Sequence, residues 1–76
     1  MSRAYGVGGY RSSGDLTPRM LDVLRCSARG LGASAIAAEL GVSRATVRTL
    51  RAALMARLEA PNIAAAVDQA WRRGLL

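Results

Sequence analysis

The chain has 76 residues, half of them hydrophobic, which is enough for one domain with a small core and no more. It holds no histidine, one cysteine and five acidic residues, and the acids are scattered rather than paired. That inventory excludes a zinc site, a histidine-based triad and a paired-carboxylate centre, so neither an enzyme nor a bound cofactor or metal is expected. The formal charge is +6, and every cationic side chain is arginine, which points to a polyanionic partner, DNA or RNA before a membrane surface.

In chain order, residues 1–15 stand apart. Gly6, Gly8, Gly9 and Gly14 mix with Ser12, Ser13, Tyr5 and Tyr10 without apolar periodicity. Such a segment cannot bury enough surface to order itself and reads as a flexible arm. Its Arg3 and Arg11 suit either a solvated tail or an arm reaching phosphates. No apolar stretch follows Arg3 as a secretory leader requires, and no apolar run approaches the roughly 18 residues of a membrane span. A cytoplasmic, soluble protein is expected.

From Leu16 onward the period is helical. Thr17 is a good N-cap and Pro18 suits the first helical position, where its missing N–H costs nothing. Met20, Val23, Leu24 and Ser27 form a stripe, and Arg29-Gly30 ends the first helix. Cys26 within it has no disulfide partner and reads as a small buried apolar residue in a reducing compartment. A short second helix runs from about Ala33 to Leu40 and is stopped by Gly41. Ser43 caps a third, over about 43–59, whose Val47, Leu50, Leu54 and Leu58 keep the helical period. Pro61-Asn62 breaks the chain, and a fourth helix carries Ile63, Ala66, Val67, Ala70 and Trp71 before Gly74. No segment alternates with period two, so the fold class expected is all-α.

The stretch from Ala33 to Ala52 is the informative one. Two helices are joined by Gly41-Val42, short enough only for a tight turn, and Gly41 supplies the positive φ that turn requires. Ala37 lets the first helix of the pair lie closely across the second near Val47. This spacing is the helix-turn-helix pattern. With Val47 and Leu50 turned inward, Arg44, Arg48 and Arg51 share the outer face, flanked by Ser43, Thr46 and Thr49. A solubilising face ordinarily mixes signs, but this one has no acid between Leu40 and Leu58. Arginine can hold guanine O6 and N7 in bidentate fashion, while hydroxyls and helix-start N–H groups suit phosphates. These six residues are the candidate contacts to double-stranded DNA.

Leu16-Thr17-Pro18-Arg19, Val23-Leu24, Gly30-Leu31, the run Ile36 to Ser43, Ala45-Thr46-Val47 and Leu54…Leu58 resemble the LuxR-type (GerE-type) helix-turn-helix domain. The similarity continues through Asn62, Ala64, Ala66-Val67 and Gly74-Leu75-Leu76, so the domain is expected over 16–76. The resemblance implies a four-helix bacterial transcription regulator whose third helix reads the major groove. It also implies a homodimer through the fourth helix, on a pseudo-palindromic site. Family members usually carry a sensory domain; the chain opens on Met1 without room for one, so the stand-alone form is expected.

The chain departs from the family's pattern at several positions. Met20 replaces an acidic residue, so the reciprocal half of a capping box is expected to be lost. Arg48 stands for a frequent lysine, Leu50-Arg51 for His-Leu, and Ala52, Ala53 and Ala56 for basic or polar residues. Pro61 replaces a capping serine. Trp71 stands where polar residues are common, and two readings stand for it: a lid over the core, or an anchor for a partner together with Ile63 and Val67. The alternative function keeps the fold and changes the partner. Gly41-Val42-Ser43-Arg44 with Val47-Arg48 also resembles region four of sigma factors, so a small bacterial or phage protein contacting RNA polymerase or a host protein is the second reading.

Overall fold

A computed structural model of the chain describes residues 16–76. The expected arm with Arg3 and Arg11 lies outside the described residues. Among those described, four helices and no strand are found: α1 (Pro18–Ala28), α2 (Ala33–Leu40), α3 (Arg44–Arg57) and α4 (Ile63–Arg72).

Three of the four described helices begin at a side-chain cap. Thr17 is extended ahead of α1, and its hydroxyl oxygen accepts from the Met20 N–H at 3.1 Å. The expectation that Met20 abolishes the reciprocal bond is corrected: the Thr17 N–H donates to the Met20 thioether sulfur at 3.4 Å. Sulfur is a weak acceptor, so the box is retained in a softened form. The same side chain, only 4% exposed, also fills the core. Ser43 caps α3, and Asn62, not Pro61, supplies the cap of α4, its Oδ1 accepting from Ala65 N–H at 2.8 Å. Only α2 lacks a side-chain cap, because Gly32 stands at that position.

The helices also end alike. After α1 the Leu31 N–H reaches the Cys26 carbonyl (3.2 Å), after α2 Val42 reaches Ala37 (3.0 Å), after α3 Ala60 reaches Met55 (2.9 Å), and after α4 Leu75 reaches Ala70 (2.8 Å). This six-residue closure needs one left-handed residue just past the helix. Gly41 fills that place after α2 at φ 70°, whereas after α3 it is filled by Glu59 at φ 53°. A side chain there crowds its own backbone, a strain glycine does not have.

The core contains Leu16, Met20, Val23, Leu24 and Cys26 from the first segment, Ile36 and Ala37 from α2, Val47, Leu54 and Leu58 from the third, and Ala66 and Ala70 from α4. No polar or charged residue is buried with them among the described residues. Leu50 is half-buried at the margin. α3 packs on all three other helices, while α2 and α4 do not touch each other. Alanine at positions 66 and 70 brings α4 close against the bundle, since neither side chain holds the backbones apart.

Cys26 is unpaired and buried, as its place in the stripe implied. Burial pushes its thiol pKa up, the Glu39 carboxylate 3.8 Å away adds to the rise, and the Arg29 guanidinium opposes it. No helix among the described residues is long and apolar enough to cross a membrane.

The two left-handed positions are expected to respond oppositely. No atom lies within 4 Å of a Cβ built on Gly41, so Gly41→Ala meets only backbone strain and should lower stability by about 1–2 kcal/mol in urea unfolding. Glu59→Gly relieves the same strain but loosens the unfolded chain, so its gain should stay below about 1 kcal/mol.

Candidate nucleic-acid interface

The turn after α2 sets how α3 leaves it. Gly41 reverses the chain, Val42 is half-buried, and Ser43 stands extended at the start of α3. The Ser43 hydroxyl oxygen accepts from the Thr46 N–H at 3.0 Å, and the hydroxyl donates to Thr46 Oγ1 at 2.9 Å. Val47, fully buried, turns one side of the helix onto the core. The opposite side is thereby fixed outward: Ser43, Arg44, Thr46, Arg48 and Thr49 are all exposed.

Arg51 is placed differently. It is half-buried, and its Nε is covered without a hydrogen-bond partner. Its stem follows the apolar margin of the helix, as long cationic side chains do where a core ends. The six expected contacts therefore divide into five on the open face and one at its edge.

Sequence reasoning missed Ser34. Arg44 Nη1 donates to Ser34 Oγ at 3.3 Å, which ties the first turn of α3 to the first turn of α2. The signal was present as a hydroxyl residue in the opening turn of the preceding helix, but the pairing depends on how closely the two helices cross.

Charge is distributed unevenly. Asp22 lies 3.7 Å from Arg19 and 3.5 Å from Arg25, Glu39 pairs with Arg29 at 2.6 Å, and Asp68 pairs with Arg72 at 2.8 Å. Among the described residues no carboxylate forms an ion pair with Arg44, Arg48 or Arg51. Asp22, Glu39 and Asp68 thus compensate Arg19, Arg25, Arg29 and Arg72, and none of them pairs with Arg44, Arg48 or Arg51. No cluster able to hold a metal ion occurs among the described residues.

The three α4 residues expected at an interface also separate. Ile63 and Val67 are half-buried against the core, while Trp71 is 60% exposed. Trp71 is therefore not a lid over the core.

Two short helices crossing through a glycine turn, with a basic second helix turned to solvent, define a helix-turn-helix domain. The GerE family model, described as bacterial regulatory proteins of the luxR family, matches residues 15–70. The chain belongs to that family, whose members are DNA-binding regulators rather than enzymes. No curated protein and no solved structure matches the chain.

The capping role of Ser43 can be tested by substitution. Ser43→Ala should cost about 1 kcal/mol in urea unfolding through loss of the cap, and Ser43→Asp, which restores an acceptor at the helix start, should recover most of it.

Proposed function

We propose that this chain is a transcription regulator that binds duplex DNA sequence-specifically, laying α3 in the major groove. The supporting observation is the outer face of α3, where Arg44, Arg48 and Arg51 have no acidic partner within the domain. Cations left uncompensated on one helix face are free to release counterions from a phosphate backbone. Arg48, exposed near the middle of that face, is assigned to a base edge. Arg44, with the hydroxyls of Ser43, Thr46 and Thr49 and the uncapped start of α2 beside Ser34, is assigned to phosphates. Arg51 would reach a phosphate through its terminal nitrogens, because its Nε is covered.

Binding to random duplexes across a salt series tests this reading. Arg48→Ala should cost about 1–3 kcal/mol at the selected site and relax specificity at one position, whereas Arg44→Ala should weaken all sequences alike and flatten the salt slope by about one unit. A folded Arg48→Ala protein that keeps full affinity and selectivity removes α3 from the role.

The same proposal includes pairing of two copies through α4 on an inverted repeat, with recognition helices about 34 Å apart. Ile63 and Val67 would centre that contact, since the chain's own core covers them only in part. Ile63→Glu should shift sedimentation towards monomer and weaken binding to the full repeat far more than to a half-site. Wild-type protein that stays monomeric on DNA excludes the pairing. The second reading, contact with RNA polymerase or another protein, is favoured by one observation, the exposed Trp71.

A further inference from the structure

An open groove of about 320 Å³ runs between α1 and the end of α4, lined by Arg25, Ala28, Arg29, Trp71 and Leu76. Trp71 and Leu76, two of the five lining residues, lie beyond the residues 15–70 that match the family model. Its chemistry is two-fold. Ala28, Leu76 and the indole of Trp71 make an apolar floor, and Trp71 is the one large apolar side chain that the described residues leave exposed. Arg25 on α1 and Arg29 at its C-terminal cap bring two guanidinium groups to the same rim, and no Asp or Glu side chain lines the groove.

Both arginines have intramolecular partners, Asp22 at 3.5 Å and Glu39 at 2.6 Å, yet each pair engages a single Nη1 and sits at the surface. A guanidinium carries five donors, and pairs in solvent are readily exchanged. The groove is open along its length, so it would cover only one side of an occupant. Small ligands are bound by burying most of their surface, which this shape does not provide. A segment of a folded partner can rest its other side on its own protein. The apolar floor gives a nucleic-acid backbone nothing to bury, whereas a buried indole is a frequent anchor of protein contacts.

We propose that this groove docks an acidic segment of a partner protein, with one apolar side chain of that segment against Trp71 and carboxylates on Arg25 and Arg29. The proposal deepens the protein-contact reading and does not depend on DNA binding by α3.

The test uses two labelled synthetic peptides rich in Asp and Glu, identical except for a central Leu in one and Ser in the other. The chain has a single tryptophan, so its emission reports on the groove directly. The Leu peptide is expected to bind saturably and about tenfold more tightly than the Ser peptide, a difference of about 1.4 kcal/mol. It should shift Trp71 emission to the blue and move NMR signals of Arg25, Ala28, Arg29, Trp71 and Leu76. Arg25→Gln, a surface change that spares the core, should weaken it several-fold, and Trp71→Ser should abolish the preference for Leu. Equal binding of the two peptides overturns the proposal. So do signals moved on Arg44 and Arg48 instead, which would mean simple polyanion binding, and an absence of saturable binding at millimolar peptide. A wild-type dimer that seals the groove overturns it in favour of a second copy. Intact DNA binding alongside any of these outcomes leaves the reading of α3 standing.

Discussion

The packing of α3 against three other helices is the constraint on which the domain depends. Val47 and Leu54 on the helix and Leu58 at its C-terminal cap are fully buried, and the helix packs on α1, α2 and α4. A fourteen-residue helix that spends one side this way has no freedom to rotate about its axis. The direction of Arg44 and Arg48 is therefore set by apolar burial on the far side of the same helix. Removing a buried leucine from so small a core would cost about 2–5 kcal/mol, comparable with the whole stability of a small domain. Orientation of the basic face and folding of the chain are, to that extent, the same event.

Placement of the acids completes the arrangement. A net charge of +6 spread evenly would make a weakly attractive surface in all directions. Instead, Asp22, Glu39 and Asp68 sit beside arginines of α1 and α4, and the outer face of α3 keeps its charge. The pairs themselves add little stability at the surface. Their effect is on the field: they lower the potential beside α1 and α4 and leave Arg44, Arg48 and Arg51 without a paired carboxylate among the described residues.

The helices were legible because their ends carry residues with few alternatives. Thr17, Pro18, Gly30, Gly41 and Ser43 mark starts and stops through a side-chain cap, fixed φ or positive φ, and these do not need tertiary information. The stripes of α1 and α3 were legible for the same reason, since burial follows the period. What escaped depends on rotamers and crossing geometry. The Met20 thioether bond arises only once that side chain is folded under Thr17. The Arg44 to Ser34 bond needs α2 and α3 at their actual separation. On α4, residues four apart drift about 40° around the axis at each step. A row read as one stripe therefore begins against the core at Ile63 and ends in solvent at Trp71.

That drift leaves the domain with a second exposed face besides the outer face of α3. The start of α2 and the outer face of α3 form one, and the groove between α1 and α4 forms the other. α2 and α4 make no contact, but α3 packs on both α1 and α4, so the two surfaces back onto one shared core. The bond from Arg29, on the groove rim, to Glu39 of α2 is the one polar link between them that the ion pairs provide. It lies in solvent, where a change of partner is cheap and is screened by salt. An acidic occupant that draws Arg29 away from Glu39 would leave the core of α2 untouched, because Ile36 and Ala37 are held by burial and not by that pair. Val47 and Leu54 are held by burial in the same way, so an occupant at the surface of the groove would leave the orientation of α3 as the core sets it. If both proposals hold, a partner in the groove would be brought to a DNA site without changing the contacts α3 makes there, which is recruitment and not a switch.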